Sequence, residues 1–226
     1  MSKIGAIFSL LELGMVFLLV MGFIWFAKDS RQSVLILGLG LIFITQIIHN
    51  QSPLEGLSGK HFAKSAKLVL PWLVVVLVAI FFLALVLYDS KAIRVGILIK
   101  SLRWYLPWAL AQQYLLNSYF VTKLETSLVA NGFNLKPNTL AIIAAVVFAL
   151  IHLPNPFLCL VTLVGGFVFS RLYLKFRDIY SLTIAHAFTG GALIAFLPTS
   201  VTLGLAIGPN CFRYFSSPWV GLCFSN

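Results

Sequence analysis

Apolar runs long enough to cross a lipid bilayer recur along this chain, and they constrain its fold more than any other feature. They occur at about 4–27, 33–48, 68–88, 104–121, 139–152, 157–174 and 179–197, with a weaker one near 199–209. A bilayer span takes roughly 20 apolar residues. Inside hydrocarbon each run must satisfy its own backbone hydrogen bonds, so runs of this length are helices. The expected fold is therefore all-α, a polytopic membrane bundle of seven to eight transmembrane helices around a polar intramembrane cavity. Composition agrees: 60% of the residues are hydrophobic and 10% charged, too little polar surface to face water on all sides. That excludes an ordinary soluble enzyme, a disordered chain and a disulfide scaffold. No repeat or long linker divides the chain, so residues 1–226 read as a single integral membrane domain.

The formal charge of +10 does not indicate nucleic acid, because the basic residues sit between the apolar runs rather than along one face. Membrane lipid is the expected partner. The first run starts after Lys3 and lacks a small-residue cleavage pattern, so it reads as a retained span. With eight spans, ten basic residues, among them Lys60, Lys123, Arg171 and Arg177, fall on one side and six on the other. The excess places both termini in the cytoplasm. The segment Asp89–Lys100 spaces Lys91, Arg94 and Lys100 among apolar residues, which predicts a short amphipathic interfacial helix. Cys159 reads as a small apolar residue within a span, while Cys211 and Cys223 are free to pair without any requirement to do so.

Polar side chains inside spans are functional candidates, because hydrocarbon penalises them. The fourth run holds Gln112 and Gln113 near its middle, with Asn117 four residues after Gln113 on the same helix face. The fifth ends Phe148-Ala-Leu-Ile-His152, and the seventh carries His186 followed by Thr189, Gly190 and Gly191. Three spans thus each bring polar groups to membrane depth. The plain structural alternative is that these groups only link helices by hydrogen bonds. Two histidines suggest zinc, but a third ligand would have to be His49 or Glu12. No metal and no cofactor are assigned. Glu12, inside the first run, reads equally as a functional carboxylate or as an interfacial residue.

The order of these groups resembles the CAAX protease and bacteriocin-processing family of intramembrane endopeptidases, related to the type II CAAX prenyl endopeptidase. That family's pattern is a glutamate pair with Arg four residues later, then Phe-x-x-x-His, then His-x-x-x-Asn/Asp. The resemblance covers residues 104–197, taken as the family-like core. Phe148, His152 and His186 match. Gln112 and Gln113 replace the glutamates, Asn117 the arginine and Gly190 the final Asn/Asp. The resemblance implies an endopeptidase acting on a membrane-associated, hydrophobic or lipidated peptide in the plasma (inner) membrane of a bacterium. Gln112, Gln113, Asn117, His152 and His186 are the implied catalytic set, with Phe148 and Gly190 as substrate-binding residues.

The replacements remove specific chemistry. A carboxamide orients water but has no basic site near neutral pH. Losing the arginine removes a fixed cation from the developing oxyanion. Two functions therefore stand: a peptide hydrolase with a degenerate motif in which a histidine is the base, or a non-catalytic relative that binds a hydrophobic peptide or lipid, as in bacteriocin self-immunity. A small-solute transporter is weaker, since no paired broken-helix repeat is present.

Overall fold

A computed structural model describes residues 3–26, 56–87 and 95–215 of the protein. Among the described residues the ordered elements are all helical. The second apolar run, His49, residues 89–94 and Cys223 lie outside them.

Helices α1 (Lys3–Phe26), α2 (Phe62–Leu87) and α6 (Pro156–Phe176) supply apolar stretches of 22, 25 and 21 residues. At about 1.5 Å per residue each exceeds the roughly 30 Å hydrocarbon thickness. Their outward faces carry large apolar side chains such as Leu11 and Leu18 on α1 and Trp72, Val78 and Phe82 on α2. In water such a surface would be prohibitive; in lipid it is the solvent-facing side. The chain is an integral membrane protein built as a polytopic helical bundle.

Helix α3 (Val95–Gln113) runs without a break into a π-helical segment, Tyr114–Val121, and then into α4 (Thr122–Ala130). The interfacial helix expected at Asp89–Lys100 is thus, from Val95 onward, the opening of α3 rather than a separate element. Apolar residues between its basic ones let it continue straight into the span. In the π-segment the Thr122 N–H reaches back to the Asn117 carbonyl. The wider ring changes the face each following side chain presents.

Helices α5 (Pro137–Ile151) and α7 (Tyr180–Phe196) are shorter. α5 ends at the turn His152-Leu-Pro-Asn-Pro156, whose non-helical backbone needs partners inside the protein. Asn155 supplies several of them. Its side-chain oxygen accepts from the Leu158 N–H at 3.0 Å, capping α6, and its amide donates to the Thr202 and Ala206 carbonyls at 3.0 and 3.1 Å. The Gly208 N–H donates to the Leu153 carbonyl at 2.9 Å. The weak apolar run near 199–209 therefore folds as short helical turns packed on this corner, not as a span.

The α6–α7 turn is fixed by Arg177, left-handed at φ 49°, and by Asp178, which is 1% exposed. Asp178 accepts from the Ser181 N–H at 3.2 Å and the Ser181 hydroxyl at 2.5 Å. Ser181 Oγ also meets Ser65 Oγ of α2 at 2.6 Å, so one cap ties two helices. Replacing a capping carboxylate removes about 0.5–2 kcal/mol. Asp178→Ala is expected to lower the unfolding free energy in detergent by about 1–2 kcal/mol, with Asp178→Asn recovering part of it. An alanine variant that unfolds like the wild type would refute the capping role.

Close approach of α5 and α6 depends on Gly166. A β-carbon there would lie 3.1 Å from the Ala145 Cα and 3.3 Å from the Phe148 ring. This contact brings Phe148 and His152 against the helix that carries Ser170.

Candidate active site

Two histidines meet around one aromatic ring. Phe148 lies edge-on to His152 (ring centroids 4.7 Å apart, interplanar angle 80°) and edge-on to His186 (6.0 Å, 86°). All three are buried. Phe169 of α6 and Tyr105 of α3 complete the aromatic wall around His186, each with its centroid 6.0 Å from the imidazole. α5, α6, α7 and α3 thus converge on this point.

Each histidine is held through Nδ1, with opposite consequences. His152 Nδ1 lies 2.6 Å from the Phe148 carbonyl oxygen. A carbonyl only accepts, so Nδ1 carries the proton and the lone pair of a neutral imidazole is on Nε2. His186 Nδ1 lies 3.0 Å from Gln113 Nε2. An amide nitrogen only donates, so here Nδ1 accepts and Nε2 carries the proton. One ring therefore presents an acceptor at Nε2 and the other a donor.

The direction of the second contact is set by a chain of amides. Ser170 Oγ donates to Asn117 Oδ1 at 2.8 Å, and Asn117 Nδ2 donates to Gln113 Oε1 at 2.6 Å. Gln113 is left with its Nε2 toward His186. Ser170, Asn117 and Gln113 each have no exposed surface. Buried polar groups this well satisfied hold one another in place.

The sequence candidates therefore separate. Gln113 and Asn117 sit behind His186 and fix it. Gln112, half-buried on the neighbouring face, keeps a buried Oε1 with no hydrogen-bond partner among the described residues. Phe148 is the wedge between the imidazoles. Gly190 has its Cα face covered by the Tyr105 ring. Ser170 and Tyr105 were missed. A lone serine after Gly165-Gly166 in an apolar run and an aromatic near the start of another are ordinary membrane sequence, and only the fold shows what they touch.

Glu12 is resolved to a structural position. Its carboxylate pairs with Lys123 Nζ at 2.5 Å and accepts from Tyr119 Oη at 2.8 Å, at the α1–α4 contact. Lys123, read from sequence as a loop cation, is 1% exposed. It therefore drops out of the count that orients the chain. Glu125 pairs with Arg177, joining α4 to the end of α6. Among the described residues no three His, Cys, Asp or Glu side chains come together as a metal-ligand set.

No curated protein and no solved structure matches the chain. Residues 96–192 match the family model described as Type II CAAX prenyl endopeptidase Rce1-like. Every residue of the buried cluster from Tyr105 to Gly190 lies within that segment. The chain is thus an integral membrane protein whose residues 96–192 are similar to the Rce1-like family of type II CAAX prenyl endopeptidases.

Proposed function

We propose that this protein is an intramembrane endopeptidase that cleaves a membrane-associated or lipidated peptide with histidine in place of carboxylate as the base. The observation that carries the reading is the pair of opposite imidazole orientations. Water is oriented by the unpartnered Gln112 Oε1 and gives its proton to His152 Nε2 as its oxygen adds to the peptide carbonyl. The carbonyl becomes a tetrahedral oxyanion, which accepts a hydrogen bond from His186 Nε2–H. The C–N bond then breaks, and His152 returns its proton to the departing amine. Atoms and charge balance, and no carboxylate is consumed. A neutral imidazole is suited to this role because its unprotonated ring nitrogen has a lone pair that takes a proton, which a carboxamide lacks.

A second reading, a non-catalytic relative that holds a hydrophobic peptide or lipid in a bacterial membrane, is favoured by the amides at 112 and 113. The two diverge in a cleavage assay on purified protein in lipid vesicles with farnesylated and unmodified hydrophobic peptides. Cleavage supports the first reading; saturable binding of the same peptides without cleavage supports the second.

Restoring the family's second glutamate alone is expected to slow the reaction. In Gln113→Glu the carboxylate only accepts, so the His186 proton moves to Nδ1 and Nε2 loses its donor. A lost oxyanion donor lowers rates by about 10²–10³. The expected outcome is a kcat reduced at least about 10-fold with substrate binding unchanged. A faster Gln113→Glu enzyme would show that His186 serves as a base instead. Arginine at 117 offers no repair, because Asn117 has no exposed surface and faces Ser170 at 2.8 Å.

A further inference from the structure

His186 and Gly190 are one turn apart on the same face of α7. A β-carbon at 190 would lie 2.6 Å from both Cζ and Oη of Tyr105, so only glycine lets this phenol in. The ring reaches from α3 and stands edge-on to the His186 imidazole at an interplanar angle of 74°. Tyr105, Ala109 and Gln112 fall four and three residues apart, on one face of α3. Ala109 between them is fully buried and small. No described residue takes or gives a hydrogen bond at the Tyr105 hydroxyl. The half-buried phenol lies against Gly190, one turn from His186 on α7, with its O–H free to donate.

We propose that Tyr105 is a catalytic residue, a second oxyanion donor beside His186. The inference rests on the hydrolytic reading above. As negative charge develops on the carbonyl oxygen, Tyr105 O–H donates to it alongside His186 Nε2–H, and neither proton is transferred. Gly190 is the residue that makes room for the phenol, one turn from the histidine it assists.

The test compares wild type, Tyr105→Phe, Gly190→Ala and the double variant in vesicles, on one cleaved peptide, with His152→Ala as a reference. Phenylalanine keeps the ring and its packing, so folding is preserved. Tyr105→Phe is expected to lower kcat about 10²-fold with KM unchanged, the size of one oxyanion donor. Gly190→Ala displaces the phenol and is expected to give a comparable loss. The double variant is expected to lose no more than either alone, because both remove the same bond. Tyr105→Phe at wild-type kcat, with His152→Ala inactive, overturns the role of Tyr105 and leaves hydrolysis standing. A wild type that cleaves nothing, or a His152→Ala variant as active as wild type, overturns the hydrolytic reading and this inference with it.

Discussion

His152→Ala is expected to lower the rate of peptide cleavage about 10³-fold, with peptide binding retained. The expectation follows from what His152 alone offers. Its Nδ1–H is committed to the Phe148 carbonyl at 2.6 Å, and that bond aims the Nε2 lone pair away from its own helix. Among the groups gathered here, His186 is held with its Nε2 protonated, and Gln112 and Gln113 are amides without basicity. A positioned general base contributes about 10²–10⁴-fold. His152→Gln sharpens the test, since glutamine keeps a hydrogen-bonding side chain but takes no proton. It is expected to be as slow as alanine. A glutamine variant within a few fold of wild type would show that position 152 orients water without deprotonating it.

The largest stability effect is expected at Lys123, far from the histidines. Its ammonium is paired with Glu12 at 2.5 Å and lies 5.2 Å from the centre of the Tyr119 ring, while Glu12 also accepts from Tyr119. The three side chains close the contact between α1 and α4. Removing one partner of a buried pair leaves an uncompensated charge and costs about 3–5 kcal/mol, whereas removing both together costs far less. Lys123→Met should therefore destabilise the protein by about 3 kcal/mol, measured by reversible unfolding in detergent micelles. Adding Glu12→Gln to Lys123→Met should restore most of the loss. Equal stability of Lys123→Met and wild type would mean that the pair contributes nothing to holding α1.

The helices around the site were legible because their signals are local. Apolar length marked α1, α2 and α6. His152 and His186 stood out because histidine is rare in hydrocarbon. What stayed hidden depends on partners distant in sequence. Lys123 ends an apolar run and looks like a loop cation until Glu12, more than 100 residues earlier, is folded against it. The π-segment has no compositional mark, yet it sets the face on which Asn117 meets Ser170. Apolar residues at 199–209 read like a weak span, whereas their backbone carbonyls serve the Asn155 corner. Tyr105 is one aromatic among many until the missing β-carbon at Gly190 gives it a place.

The division of labour between the two histidines rests on which nitrogen of each ring carries the proton. Nitrogen-15 NMR of the protein in lipid vesicles, with ring signals assigned through His152→Gln and His186→Gln, reads this directly. At neutral pH the protonated, pyrrole-type nitrogen is expected at Nδ1 in His152 and at Nε2 in His186. The pyridine-type nitrogens are expected at Nε2 and Nδ1 respectively. A His186 ring protonated at Nδ1, or a His152 ring protonated at Nε2, would contradict the account, because the site would then lack either its donor or its base.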